Sequence, residues 1–66
     1  MYGFTKEQLA QKVSVKCYRQ VTKMTRGKAL KKFHEAMMCC EGSEGERYAN
    51  IFSQLLAGEK FVSDEI

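Results

Sequence analysis

SEGERYANIFSQLLAG, residues Ser43–Gly58, carries the clearest secondary-structure pattern in this chain of 66 residues. Ser43 and Glu46 have the spacing of a capping box, in which each side chain bonds a free backbone N–H of the first helical turn. Apolar residues then recur at helical spacing: Tyr48, Ile51, Phe52, Leu55 and Leu56. Gly58 follows them, at the position where helices commonly end on glycine. The stretch predicts an amphipathic helix over about residues 44–57, which needs other elements to pack against.

The preceding stretch shows a second apolar face at helical spacing. Leu30, Phe33, Met37 and Cys40 form this face, and Glu41–Gly42 ends it. We expect a helix over about residues 26–40, with Thr25 as a candidate cap at its start.

The N-terminal part predicts a third helix over about residues 5–24. Thr5 and Gln8 have capping-box spacing. One apolar stripe continues from them: Leu9, Val13, Cys17, Val21 and Met24. This stripe lies about 160° around the helical wheel from the apolar face of residues 26–40. A break near Thr25–Gly27 is therefore expected, since it lets both apolar faces meet in one core.

Three amphipathic helices with short connections predict an all-α fold, either a small three-helix bundle or a helical hairpin with a short extra helix. Residues 1–66 form a single domain in this interpretation, with residues 59–66 as a tail. The expected core positions are Leu9, Val13, Val21, Leu30, Phe33, Met37, Tyr48, Ile51, Phe52 and Leu55. Val15 lies off the stripe and is expected to be part-exposed.

Charge divides the chain into a basic and an acidic half. Residues 1–34 contain nine Lys or Arg against Glu7 alone, a net charge of +8, and residues 35–66 contain seven acids against Arg47 and Lys60, a net charge of −5. On the predicted first helix the cations form one face: Lys12, Lys16, Arg19, Lys23 and Arg26. Such a face could contact successive phosphates of nucleic acid. The alternative is a solvated face that the acidic half partly neutralises.

Apolar groups that a thin core cannot cover predict protein–protein contact. The residues expected at such a contact are Tyr18, Met38, Phe61 and Val62. The partner is either a different protein or a second copy of this chain, and a dimer is expected because closed two-fold symmetry is the commonest way to satisfy such a surface.

Catalysis and metal binding are not indicated. His34 with Cys17, Cys39 and Cys40 is the one set of soft ligands, and it lacks the Cys-x2–4-Cys spacing of a zinc site. A helical domain of this size has little room for a substrate cavity. We expect no enzyme activity, no cofactor and no small-molecule substrate. The chain has no apolar run long enough to span a membrane and no apolar leader segment, so a cytoplasmic protein is expected.

ERYANIFSQLLAGEKFVSDE, residues 46–65, resembles the C-terminal part of small accessory proteins of lambda-like bacteriophages and prophages. The resemblance covers about a third of the chain. It implies an early-expressed, all-helical protein of the host cytoplasm that binds host factors or DNA. The function expected first is therefore that of a small phage-type accessory or regulatory protein that binds a host protein. The alternative is a small nucleic-acid-binding protein that uses the basic face.

Overall fold

A computed structural model describes residues 2–64 of the chain. In chain order the elements are α1 (Lys6–Ala10), β1 (Lys12–Cys17), β2 (Gln20–Thr25), α2 (Arg26–Cys39), α3 (Ser43–Leu56) and β3 (Phe61–Ser63). The strands form one mixed sheet in the order β2-β1-β3, with β1 antiparallel to β2 and parallel to β3. The fold is therefore α+β, and the predicted all-α class, whether helical bundle or helical hairpin, is wrong.

The helix predicted over residues 5–24 is also wrong. Its capping box is present, since Thr5 accepts a hydrogen bond from the Gln8 N–H and the Gln8 side chain accepts one from the Thr5 N–H, but the helix ends at Ala10. The remainder, KVSVKCYRQVTKMT, forms the β1–β2 hairpin. Apolar and polar residues alternate along β1, and Val and Thr are frequent in both strands, a composition that suits a pleated, half-buried surface.

Strand alternation divides the hairpin and β3 into two faces. The inner face packs against the helices and carries the side chains of Val13, Val15, Cys17, Gln20, Thr22, Met24 and Val62. The opposite face, here called the outer sheet face, carries Lys12, Ser14, Lys16, Val21, Lys23, Thr25, Phe61 and Ser63. The cations of β1 and β2 are thus kept apart from the core.

The core joins the inner sheet face to α2 and α3. Its buried members are Val13, Val15, Ala29, Leu30, Phe33, Ile51, Leu55 and Val62. Five of the ten predicted core residues are in this set, and Leu9, Tyr48 and Phe52 pack against it while partly exposed. Val21 is 56% exposed on the outer sheet face, so its assignment to the core is wrong. Val15, expected to be part-exposed, is buried.

Helices α2 and α3 correspond to the helices predicted over residues 26–40 and 44–57. Thr25 caps α2 by accepting a hydrogen bond from the Lys28 N–H. The predicted capping box at Ser43 is not formed, because Gly42 is the N-cap residue of α3 and no side chain bonds there. Residues 61–63 form a strand rather than part of a tail. Residues 65 and 66 of that predicted tail lie outside the described residues.

Candidate functional site

The two edges of the sheet differ in how their main-chain groups are bonded, and the edge formed by β2 is open. The bond from the Arg26 N–H to the Gln11 carbonyl continues the β1–β2 ladder. Because bonding alternates along an antiparallel pair, Gln20, Thr22 and Met24 bond to β1. The N–H and C=O groups of Val21 and Lys23 therefore point away from the sheet, and no group of residues 2–64 bonds them.

The edge formed by β3 is closed at Ser63 by one side chain. The Gln54 side-chain amide, on α3, donates to the Ser63 carbonyl at 2.7 Å and accepts from the Ser63 N–H at 3.1 Å. Asp64 N–H bonds the Lys16 carbonyl, so the groups of Ser63 face outward from the sheet. Gln54 thus occupies the positions at Ser63 that a further strand would use, whereas no group of residues 2–64 bonds the outward main-chain groups of Phe61.

A cleft of about 240 Å³ lies beside the open edge, on the inner side of the hairpin. It is lined by Val15, Cys17, Tyr18, Gln20, Thr22, Met24, Lys32, Phe33 and Tyr48. The helices bury the inner face at β1 and β3, whereas Gln20 and Thr22 of β2 remain exposed. We call this cavity the hairpin cleft. It combines aromatic and aliphatic walls with the cation of Lys32, whose Nζ lies 5.8 Å from the centre of the Phe33 ring.

The hairpin turn between the strands consists of Tyr18 and Arg19, both with positive φ, at 52° and 68°. Positive φ at both residues is typical of a type I′ two-residue hairpin turn, and this backbone conformation is costly for residues other than glycine. Contacts to the turn hold it in place. The Tyr18 N–H donates to Asp64 Oδ2 at 3.1 Å, Arg47 Nη1 donates to the same oxygen at 2.9 Å, and the Arg47 guanidinium lies 4.8 Å from the centre of the Tyr18 ring.

Ionisation states at this turn follow from these contacts. The hydrogen bond from the Tyr18 N–H, followed by that from Arg47, lowers the pKa of Asp64. Burial and then the Asp64 charge raise the pKa of the Cys17 thiol, so Cys17 is protonated at neutral pH and is a poor nucleophile. A hydrogen bond with the Tyr18 side chain, with burial, raises the pKa of Tyr48 to about 12. Tyr48 therefore offers the hairpin cleft a neutral aromatic ring.

The five cations predicted to form one face are not together. Arg26 is 2% exposed, and its guanidinium donates to the carbonyls of Leu55 at 2.7 Å and Gly58 at 3.1 Å. This cation stabilises the C-terminal end of α3, where the helix dipole favours positive charge. It also lies 5.3 Å from the centre of the Phe4 ring. Arg26 therefore has a structural role, and its buried guanidinium is not available to contact nucleic acid.

Three of the other four cations share the outer sheet face. Lys12 and Lys16 lie on β1, and Lys23 lies opposite Ser14 on β2, between them. Arg19 is exposed in the turn at one end of the hairpin. The lysines share this face because side chains alternate along strands, and not because they form the predicted helical stripe.

The four apolar residues predicted at a protein contact do not form one surface. Val62 is buried in the core. Phe61 is 57% exposed on the outer sheet face, whereas Met38 is exposed on α2, which packs on the other side of the sheet. Tyr18 is half exposed at the turn, against Tyr48 and Arg47. A dimer built on all four residues is therefore not compatible with this fold.

Sequence patterns do not identify the open β2 edge, the Gln54 contact or the pair of Arg47 with Asp64. Alternation along KVSVKC is the signal that could have identified the strand. The turn gives no such signal, because Tyr-Arg lacks the Asn, Asp or Gly typical of two-residue hairpin turns. Gln54 and Asp64 have no local signature, since their partners are distant in sequence.

Among residues 2–64 no group of three or more His, Cys, Asp or Glu side chains is placed to hold a metal ion. His34 instead packs against Phe52, with ring centres 5.5 Å apart. None of the helices in this part of the chain combines the length and the apolar character needed to cross a membrane.

Comparison of the chain with protein-family models, with curated proteins and with solved structures found no match. Function is therefore inferred from the geometry of the sheet, its edges and the hairpin cleft.

Proposed function

We propose that this chain is a small accessory or regulatory protein that binds a partner protein by adding an extended segment of that partner to the open edge of β2. The observation that carries the proposal is the contrast between the two edges. The outward N–H and C=O groups of Val21 and Lys23 are unbonded within residues 2–64, whereas those of Ser63 are bonded by Gln54. An unpaired edge is a template for another strand.

The hairpin cleft supplies the specificity that main-chain bonds lack. Alternate side chains of a strand added to β2 would point toward the inner side of the sheet, where the cleft lies. Phe33, Tyr48 and Met24 offer apolar contacts there. The partner segment therefore carries apolar side chains at every second position.

Charge favours an acidic segment over a second copy of this strand. Lys32 lines the cleft, Lys23 lies on the edge strand, and Arg19 is exposed at the turn. A second β2 would bring the same cations to the contact, and like charges on neighbouring strands are destabilising. The resemblance to phage accessory proteins supports a bacterial host as the source of the partner, in the host cytoplasm.

Selection from a library of displayed random twelve-residue peptides tests this proposal and does not require that the partner be identified first. We expect the selected peptides to combine acidic residues with alternating apolar residues, and to bind as extended strands. Their affinities are then measured by isothermal titration for the wild type and for two variants at one position, Lys23→Pro and Lys23→Thr. Both variants remove the same charge, and the proline alone removes the outward N–H.

The expected result is a loss of affinity of about tenfold or more for Lys23→Pro relative to Lys23→Thr, equivalent to about 1.4 kcal/mol. Val21→Pro and Val21→Thr repeat the comparison at the other outward position, in case the first proline lowers the melting temperature. Equal affinities of the Pro and Thr variants, or selection of no peptide, would show that the edge is not a docking site. Sedimentation equilibrium of the wild type and of the proline variants tests whether the occupant is a second copy of this chain. A wild-type dimer that the prolines abolish would identify a second copy as the occupant.

A further inference from the structure

The outer sheet face forms a second surface, which shares Val21 and Lys23 with the β2 edge and is separate from the hairpin cleft. Among residues 2–64 no helix covers it, because α2 and α3 pack on the inner face and α1 packs against α2 and the core. Lys12 and Lys16, four residues apart on β1, lie about 13 Å from each other along the strand, and Lys23 lies on the neighbouring strand between them. Within the described residues this face carries no acidic side chain.

An aromatic ring lies on the same face. On β3, Phe61 lies opposite Ser14 of β1, and its side chain is 57% exposed. Val21 adds a smaller apolar group on the far side of β1. Cations and an exposed ring are therefore interleaved on one sheet surface.

We infer that the outer sheet face binds single-stranded nucleic acid, with the lysines contacting phosphates and Phe61 stacking on a base. Lysines contribute salt-dependent, sequence-independent affinity. An aromatic ring on an open surface stacks on unpaired bases, which double-stranded nucleic acid does not offer. The first turn of α3 carries Glu44 and Glu46, so the start of this helix is not suited to insertion into a groove of a duplex. Single strands fit this surface better than duplexes.

Lys12 and Phe61 distinguish this inference from the docking proposal, because they contribute to neither the β2 edge nor the cleft, whereas Lys23 belongs to both surfaces. Fluorescence anisotropy measures it with labelled fifteen-nucleotide oligo-dT and oligo-U, alone and as duplexes with their complements. Three phosphate contacts predict a fall in affinity of about 100-fold for a tenfold rise in salt concentration. Comparison of the DNA and RNA probes shows which of the two nucleic acids binds more tightly.

Matched charge variants test the location of the surface. Lys12→Glu/Lys23→Glu is expected to weaken binding at low salt by more than tenfold. The control Lys28→Glu/Lys31→Glu makes the same charge change at exposed positions of α2 and is expected to weaken it less than threefold. Lys12→Gln/Lys23→Gln removes the charges without adding acids, in case the glutamates disturb the sheet. Phe61→Ala is expected to weaken binding about tenfold, by loss of one stacked base.

Equal losses in the two glutamate variants would overturn the inference, because net charge alone would then explain binding. It would also be overturned by tighter binding of the duplexes, by an unchanged affinity of Phe61→Ala, or by the absence of binding at low salt. Binding to phosphatidylserine vesicles without binding to either oligonucleotide would assign the face to a membrane surface instead.

Discussion

The two outer strands of the sheet, β2 and β3, differ in how far their outward main-chain groups are bonded. β3 is only three residues long, yet its Val62 is fully buried and the outward main-chain groups of its Ser63 are bonded by Gln54. β2 is twice as long, but its Val21 is exposed and its outward groups have no partner within residues 2–64. Edge strands are usually protected. The unprotected strand is therefore the better candidate for function.

The largest expected difference between the two strands comes from the same substitution made in each. Val62→Ala removes buried methyl groups and leaves a cavity, so the free energy of unfolding should fall by about 2 kcal/mol. Val21→Ala changes an exposed side chain and should alter it by less than about 0.5 kcal/mol. Urea unfolding measures both. Equal losses would mean that β2 is as fully packed as β3, and the contrast would fail.

An intermediate effect is expected from the side chain that closes the β3 edge. Gln54→Ala removes two hydrogen bonds to Ser63 and should lower the free energy of unfolding by about 1–2 kcal/mol. Gln20→Ala makes the same change at an exposed position of β2 and should have little effect. A second readout is self-association. Sedimentation should show that Gln54→Ala gains a tendency to associate through β3. If Gln54→Ala were as stable as Gln20→Ala, the role given to Gln54 would be contradicted.

A smaller effect is expected from the contact that joins the chain after β3 to the hairpin turn. The pKa of Asp64 is lowered in the folded state, so its contribution to stability is present above about pH 3.9 and is lost as the pH falls through the folded pKa. Below pH 4 the free energy of unfolding should therefore fall more steeply for the wild type than for Asp64→Asn. Parallel pH dependences of the two proteins would show that this carboxylate does not stabilise the turn.

The helices α2 and α3 are predicted from the sequence and the sheet is not, for a physical reason visible in residues 12–25. Val13 and Cys17 are four positions apart, a spacing that fits one face of a helix and one face of a strand equally well. Val15 distinguishes the two, because it belongs to the apolar set only when the period is two, and it is buried. The helical interpretation also requires Val21 in the core. Tertiary pairing with β3, which no local pattern encodes, favours the strand.

The candidate site is less predictable than the fold. The sequence predicts Lys12, Lys16 and Lys23 on one basic face, and they do share a face, although through strand alternation rather than a helical stripe. The same pattern includes Arg26, but the burial of Arg26 against the carbonyls of Leu55 and Gly58 depends on long-range packing. An open edge is defined by which strand lacks a neighbour. Sequence order alone does not determine that.

Amide hydrogen exchange measured by NMR, with and without a peptide selected on the wild type, tests the β2 docking site most directly. In the free protein the Val21 and Lys23 amides should exchange quickly, whereas the Ser63 amide should be protected by Gln54. Saturation with the peptide should slow exchange at Val21 and Lys23 by at least tenfold and leave Ser63 unchanged. Peptide binding that leaves the exchange of Val21 and Lys23 as fast as in the free protein would contradict the account.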